Sequence, residues 1–146
     1  MSLHRIRLAG PWEWQAFTVT SGVAGIGEIH KCQLPFPSEP GIVADHGILL
    51  RRRFHEPTGM SAATTVTVTV EIQDGIPQLW LNDRILTGVA ESEFTELANS
   101  AMTNQWRFDV SGFLKSYNEL QVHVIPLRPD SLPRLNAAAL EIREAS

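Results

Sequence analysis

The chain is poor in cysteine and in long apolar runs. Cys32 is the single cysteine among 146 residues, so an internal disulfide and a cysteine-rich zinc site are both excluded. No stretch approaches the roughly 20 apolar residues of a membrane span, and the N-terminus lacks the shorter apolar run of a secretory signal. We therefore expect a cytoplasmic protein without a membrane partner, stabilised by its core and by backbone pairing.

Positive charge is also scarce. Lys and Arg number 12 against 16 Asp and Glu, which gives a net charge of -4 and a pI near 5.7. Nucleic acid is therefore not an expected partner, because binding its phosphates requires clustered Lys and Arg. The hydrophobic content of 43% is that of a globular protein, and the length fits one domain spanning residues 1–146.

Helical periodicity is the third absence. No capped amphipathic segment of about ten residues occurs. Alternate residues from Val66 to Ile72 are instead apolar, as in a half-buried strand. The patterns predict an all-β fold with strands at residues 4–8, 17–19, 31–34, 47–54, 64–72, 78–82, 84–86, 104–110, 119–125 and 139–143.

The segments between these strands carry more specific predictions. Asp74-Gly75 predicts a hairpin joining the strand before it to the strand after it. Gly22 to Gly27 is predicted to be a loop or hairpin, since no helix follows it to form a phosphate site. Single helical turns are predicted at residues 93–101 and 111–115, and Asp109 is expected to accept backbone hydrogen bonds in the turn that follows it.

Four short motifs follow one another along the chain: Gly10-Pro11-Trp12-Glu13-Trp14, Leu79-Trp80-Leu81-Asn82-Asp83, Trp106-Arg107-Phe108-Asp109-Val110-Ser111-Gly112 and Tyr117-Asn118-Glu119-Leu120. In this order they resemble the non-catalytic sugar-binding domain of family 2 glycoside hydrolases, the β-galactosidase and β-glucuronidase group. The resemblance implies a β-sandwich jelly roll of the galactose-binding-domain type, with two antiparallel sheets. In that family the hydrolytic carboxylates lie on a separate barrel, for which these residues leave no space, so we expect no enzyme activity.

Two positions depart from the family pattern. Asn82 is followed by Asp83, where the family usually has Asn-Gly, and Asn118 is preceded by Ser116-Tyr117, where Gly-x-Asn is common. Asp can also adopt the left-handed conformation that such a turn requires, at a higher cost than Gly. We therefore expect both turns to be retained.

Two tryptophans are candidates for ligand binding. Trp80 could stack against a sugar ring, although a Trp at this position more commonly covers a face of the sandwich. Trp12 follows a Gly-Pro bend, where it could line a cleft or close one end of the sandwich. Trp106 shares a face with Phe108 and Val110 and is predicted to belong to the core.

Arg52 and Asn82 complete the candidate ligand-binding residues. The run Arg51-Arg52-Arg53 could bind an acidic sugar or a phosphate, because guanidinium groups form paired hydrogen bonds with such anions. Alternation places Arg52 on the face of Phe54, opposite its two neighbours. The more ordinary interpretation is a charged strand edge with one internal ion pair.

Catalytic and metal-binding patterns are weak, so no catalytic residue, metal or cofactor is predicted. The five histidines lack metal-ligand spacing, and Asp45-His46 has no nucleophile-elbow sequence nearby. The acidic group Glu91, Glu93 and Glu96 lies in a polar segment that would not raise a carboxyl pKa for acid catalysis. Such a segment could coordinate calcium through its oxygens, but we do not predict that it does.

These observations favour a stand-alone, non-catalytic carbohydrate-binding or accessory module. Two alternatives stay open. One is a structural or protein-interaction domain, for example a homodimer joined through edge strands, with no sugar site. The other is a small enzyme that uses Asp45, His46 and a loop glutamate as acid and base.

Overall fold

The computed structural model describes residues 2–8, 10–18, 24–36, 47–90, 95–96, 102–127 and 133–144. These ranges contain strands but no helix, and therefore none long and apolar enough to cross a membrane. The strands are β1 (Ser2–Arg7), β2 (Trp12–Thr18), β3 (Ala24–Cys32), β4 (Gly47–His55), β5 (Thr64–Gln73), β6 (Gly75–Leu81), β7 (Arg84–Leu86), β8 (Val89–Ala90), β9 (Thr95–Glu96), β10 (Met102–Asp109), β11 (Tyr117–Pro126) and β12 (Arg134–Glu144).

The strands form two antiparallel sheets. The first sheet has the order β1-β12-β5-β10-β8, with β9 also paired to β10. The second has the order β3-β2-β4-β11-β6-β7. The predicted all-β class with two antiparallel sheets is therefore confirmed.

The core lies between the two sheets, because alternate residues of each strand point inward. The predicted alternation in β5 is confirmed, since Val66, Val68 and Ile72 are fully buried. Residues from the second sheet pack into the same core, namely Ile48, Leu50, Phe54, Leu79, Leu81, Leu120, Val122 and Val124. Trp106 packs against this core, as predicted, and is partly buried.

The predicted hairpin at Asp74-Gly75 is wrong. Strand β5 pairs with β10 and β12 in the first sheet, whereas β6 pairs with β7 and β11 in the second. The turn is therefore a corner at which the chain changes sheets. Asp74 has φ of 57°, and a Cβ on Gly75 would lie 2.9 Å from Val124 Cγ1, so Gly75 allows the close approach that this corner requires.

Of three further local predictions, two need correction. Of the segment Gly22 to Gly27, expected to be a loop or hairpin, Gly25 and Ile26 lie in β3 and pair antiparallel with β2, which agrees with the hairpin rather than the loop. The segment 111–115 is a turn rather than a helix, although Asp109 Oδ1 accepts a hydrogen bond from Ser111 N at 2.9 Å, as predicted. Within the segment 93–101, the two residues that the structure describes form β9, and the others lie outside the described ranges.

Replacement of Gly75 by alanine tests the corner. The new methyl group would be overpacked against Val124 Cγ1, Ile125 O and Pro133 Cβ, all within 3.0 Å. We expect Gly75→Ala to lower the free energy of unfolding by about 2–3 kcal/mol. Gly59→Ala is the control, since its Cβ would have nothing within 4 Å and only the φ of +76° costs energy, about 1 kcal/mol. Urea unfolding that gives Gly75→Ala the smaller loss would contradict this account.

Candidate functional site

A cleft opens beyond the point at which the antiparallel pairing of β2 with β4 ends. Strands β2 and β4 pair from Phe17 and Gly47 as far as Glu13 and Arg51, but β4 continues to His55. The space beside the end of β4 has a volume of about 330 Å³. Its lining residues are Pro11, Trp12, Glu13, Lys31, Arg51, Arg52, Arg53 and Tyr117.

Two of the three arginines in this cleft are held by carboxylates. Arg51 Nε lies 3.4 Å from Glu119 Oε1, and Arg53 Nη2 lies 3.3 Å from Glu119 Oε2. Arg53 Nη1 also lies 3.6 Å from Glu13 Oε1. The expected ion pairing is therefore present for Arg51 and Arg53, with three contacts rather than one. The expected strand edge is wrong, because β4 lies between β2 and β11 in the second sheet.

Arg52 has a different environment. Its neighbours at alternate positions, Leu50 and Phe54, belong to the core, so Arg52 lies on the inward face of β4, as predicted. Its Nη1 donates a hydrogen bond to Pro11 O at 3.2 Å, and no carboxylate among the described residues pairs with it. Partial burial lowers the pKa of Arg52 by desolvation. Among the described residues, only Pro11 O accepts a hydrogen bond from this half-buried guanidinium, and a guanidinium with further donors can bind an anion.

The cleft as a whole is electropositive. The described residues that line it include Lys31 and the three arginines but only one carboxylate, Glu13, although the whole chain carries a net charge of -4. Glu119 lies beside the cleft and neutralises part of this charge through Arg51 and Arg53. Arg52 and Lys31 remain as the cations available to a ligand among the residues described here.

Tyr117 was missed as a candidate by the sequence analysis. It begins β11 opposite His55 of β4, and the two rings meet edge to face with centroids 4.9 Å apart. Its side chain is 53% exposed, so the ring stands at the rim of the cleft. In the sequence it was part of the turn before Asn118, and only the pairing of β11 with β4 brings it beside the arginines.

Trp12 forms the buried wall of the cleft. The residue is fully buried, and its Nε1 donates a hydrogen bond to Leu8 O at 2.6 Å. It packs in the core behind Arg52 rather than presenting a ring face to solvent. Of the four candidate ligand-binding residues, Trp12 and Arg52 are thus brought together at this cleft.

Asn82 lies in the turn between β6 and β7. Asn82 and Asp83 have φ of 51° and 69°, so the turn predicted from the motif is present despite the missing glycine. Asn82 Oδ1 accepts a hydrogen bond from Glu119 N at 2.8 Å, and its Nδ2 donates to Asn118 Oδ1 at 3.0 Å. Both ends of this amide therefore join β11 to the turn.

Trp80 lies on the outer face of the second sheet, two strands away from Arg51 at the cleft, and does not itself line the cleft. It is half-buried, and its ring packs on the ring of His123 with centroids 4.2 Å apart. His123 is fully buried, and desolvation together with the charge of Arg51 lowers its pKa to about 4. The ligand-binding roles of Trp80, Asn82, Arg52 and Trp12 stay predictions.

Other reactive groups give little support for catalysis. Burial raises the pKa of the Cys32 thiol to about 11, which makes it a poor nucleophile at neutral pH. The described part of the chain contains no cluster of three or more His, Cys, Asp or Glu that could hold a metal ion. Asp45, His46, Glu91 and Glu93, on which the small-enzyme hypothesis depends, lie outside the described residues.

The sandwich is similar to a domain-sized part of larger enzymes. It matches the β-glucuronidase of Bifidobacterium dentium, solved with coumarin-3-O-glucuronide, at 16% identity and a TM-score of 0.67 over 99% of this chain and 31% of that one. It also matches two Dictyoglomus thermophilum enzymes. One is a β-D-glucuronidase, at 12% identity and a TM-score of 0.62, over 98% of this chain and 28% of that one. The other is a β-D-mannosidase, at 15% identity and a TM-score of 0.55, over 86% of this chain and 16% of that one.

This chain therefore spans less than a third of each of these enzymes. Identities of this size support the fold alone, and at that level the resemblance to family 2 glycoside hydrolases predicted from the motifs is confirmed. No protein-family model and no curated protein matches the sequence.

The amide of Asn118 should be a main contributor to stability at this end of the sandwich. It is fully buried, accepts from Lys115 N and Asn82 Nδ2, and donates to Lys115 O at 2.8 Å. We expect Asn118→Ala to lower the free energy of unfolding by about 3 kcal/mol, because it removes a buried amide together with its hydrogen bonds to Asn82 and to the partly buried backbone groups of Lys115. Gln78→Ala, at an exposed position of β6, should change it by less than about 0.5 kcal/mol. Similar losses in the two variants would contradict this role.

His123 should make stability depend on pH. Its pKa is about 4 in the folded state against 6.5 ordinarily, so the neutral form is favoured by folding. The stability that the neutral His123 side chain contributes is fully present above pH 6.5 and is lost as the pH falls towards 4. The loss in the free energy of unfolding is about 3 kcal/mol.

The matching measurement is urea unfolding at pH 7 and pH 4. The wild-type protein should lose about 3 kcal/mol more than His123→Gln over this interval. His4→Gln, which alters an exposed histidine of β1, should behave like the wild type. An identical pH dependence in the wild type and His123→Gln would show that this histidine is not responsible.

Proposed function

We propose that this protein is a non-catalytic carbohydrate-binding accessory module that binds an acidic sugar in the electropositive cleft. The observation that carries the proposal is the Arg52 guanidinium, which faces the cleft without a carboxylate partner among the described residues. A planar guanidinium matches the two oxygens of a carboxylate, so a uronic acid suits it better than a neutral sugar.

The other lining residues suit the rest of a sugar. The exposed ring of Tyr117 offers an apolar face at the rim, against which the C–H face of a pyranose can pack. Lys31 adds a second cation on the opposite side. Arg51 and Arg53 are already paired with Glu119 and Glu13, so they position the wall of the cleft rather than supply free charge.

Replacement of Arg52 tests this function. A glycan array that includes neutral and uronic-acid-containing glycans, followed by calorimetry, should give saturable binding that prefers the acidic members. Arg52→Gln should weaken that binding about ten- to hundredfold, because a charge-assisted pair is lost. Binding should also weaken as salt is raised.

The matched control removes the same charge elsewhere. Arg143 is an exposed residue of β12 in the first sheet and does not line the cleft. The Arg143→Gln variant should therefore bind glycans like the wild-type protein. Circular dichroism verifies that both variants remain folded. Failure of the folded wild-type protein to bind any glycan, or equal weakening by Arg52→Gln and Arg143→Gln, would contradict the proposal.

A second candidate is a protein-interaction domain that self-associates. Strand β1 is at the edge of the first sheet, and its Leu3 and Ile6 side chains are 52% and 44% exposed. Exposed edge strands with apolar residues favour pairing with another chain. Sedimentation equilibrium distinguishes the two candidates. A concentration-dependent dimer abolished by Leu3→Lys, without glycan binding, would favour this one.

A further inference from the structure

A row of side chains crosses the outer face of the second sheet and connects Trp80 to the cleft. Directly paired residues of antiparallel strands present their side chains on the same face. The strand register pairs Ile85 with Trp80, Trp80 with Gln121, Gln121 with Arg51, Arg51 with Glu13 and Glu13 with Lys31. The last three residues of this row line the cleft, so the row, here called the outer track, ends in the candidate site.

The outer track is long enough for several sugar residues. Neighbouring strands lie about 4.8 Å apart, so Trp80 and Arg51 are separated by about 10 Å across β11, and Lys31 lies about 10 Å further on. A pyranose with its glycosidic bond covers about one strand spacing. A linear oligosaccharide of about three residues therefore reaches from Trp80 to the cleft.

The two ends of the outer track differ in chemistry. At the far end the partly exposed indole of Trp80 is backed on one side by the buried His123 ring, which fixes its orientation. Such a rigid aromatic is suited to packing against the apolar face of a sugar. Between the two ends, Gln121 donates to Glu119 Oε1 at 2.8 Å, which leaves its side-chain carbonyl as an acceptor for a hydroxyl group. At the near end lie the cations of the cleft.

We propose that the ligand is a linear acidic oligosaccharide that lies across the strands along the outer track. A uronate residue occupies the cleft beside Arg52, and a residue further along the same chain packs on Trp80. This inference rests on the proposed function and specifies its ligand as an extended acidic glycan rather than a single sugar. The same ligand would then contact Trp80 on the outer face of the sheet and Arg52, which reaches the cleft from the inward face of β4.

A length series tests the inference. The probes are galacturonic acid and its α-1,4-linked oligomers of two to five residues, with hyaluronan oligosaccharides as a second acidic series and cello-oligosaccharides as the neutral comparison. Calorimetry on the wild-type protein should show that affinity rises about tenfold or more from one to about three residues and then levels off. Trp80→Ala should leave monosaccharide affinity unchanged and weaken the longer oligomers about tenfold, the equivalent of one stacked aromatic contact.

Ile76→Ala is the matched control, because Ile76 lies on the same strand and face as Trp80 but outside the outer track. It should bind every member of the series like the wild type. Trp80→Phe should recover part of the affinity for the longer oligomers, since it keeps an aromatic ring.

The outcomes separate the two proposals. Binding of the acidic monosaccharide without any gain from longer oligomers, or equal weakening of all lengths by Trp80→Ala, would overturn the outer track while the proposed function stands. No binding of any member of either acidic series to the folded protein would overturn both.

Discussion

The alternation of side chains along β4 places an arginine on the inward face of that strand, without a carboxylate partner among the described residues. Leu50 and Phe54 are buried in the core, so the residue between them must also face inward, and that residue is an arginine. It lies one residue beyond the last pair between β2 and β4, Glu13 with Arg51, and its side chain lines the cleft that opens there.

Carboxylates near Arg52 pair with other arginines. Two carboxylates, Glu13 and Glu119, are shared by Arg51 and Arg53 on the outer face, and neither pairs with Arg52. The first sheet has its own network, in which the largely buried Glu141 contacts Arg107 and Arg5. In each network the carboxylates have nearby arginine partners, so Arg52 does not have to serve as their counterion. The partly exposed pairs of Arg51 and Arg53 contribute little to stability, and they leave Arg52 without a carboxylate partner among the described residues.

Local patterns predicted the strands better than their partners. The alternation in β5 and the turn at Asn82-Asp83 depend on neighbouring residues, and both are present in the structure. The error at Asp74-Gly75 arises because a hairpin and a corner between sheets require the same left-handed turn, and only distant contacts with Val124 and Pro133 distinguish them. Strand β3 was missed in part because its glycines carry no alternating pattern.

In the candidate site, too, local patterns predicted the orientation of side chains but not their partners. Alternation was sufficient to separate Arg52 from Arg51 and Arg53. Which carboxylates satisfy those two arginines depends on the register between β4 and β11, across 66 residues from Arg53 to Glu119, and no local pattern contains that information. The same register places Tyr117 at the rim and joins Trp80 to Arg51 through Gln121. The sequence therefore contained the right residue types, while their assembly into one surface required the structure.

The most direct test of this account is NMR of the arginine side chains during titration with trigalacturonic acid. The Nε–Hε signals report each guanidinium separately, and single substitutions assign them. The account predicts a saturable shift of the Arg52 signal, smaller shifts of Arg51 and Arg53, and none for Arg5 or Arg107 on the first sheet. Shifts confined to the first sheet, or an unchanged Arg52 signal at saturation, would contradict it.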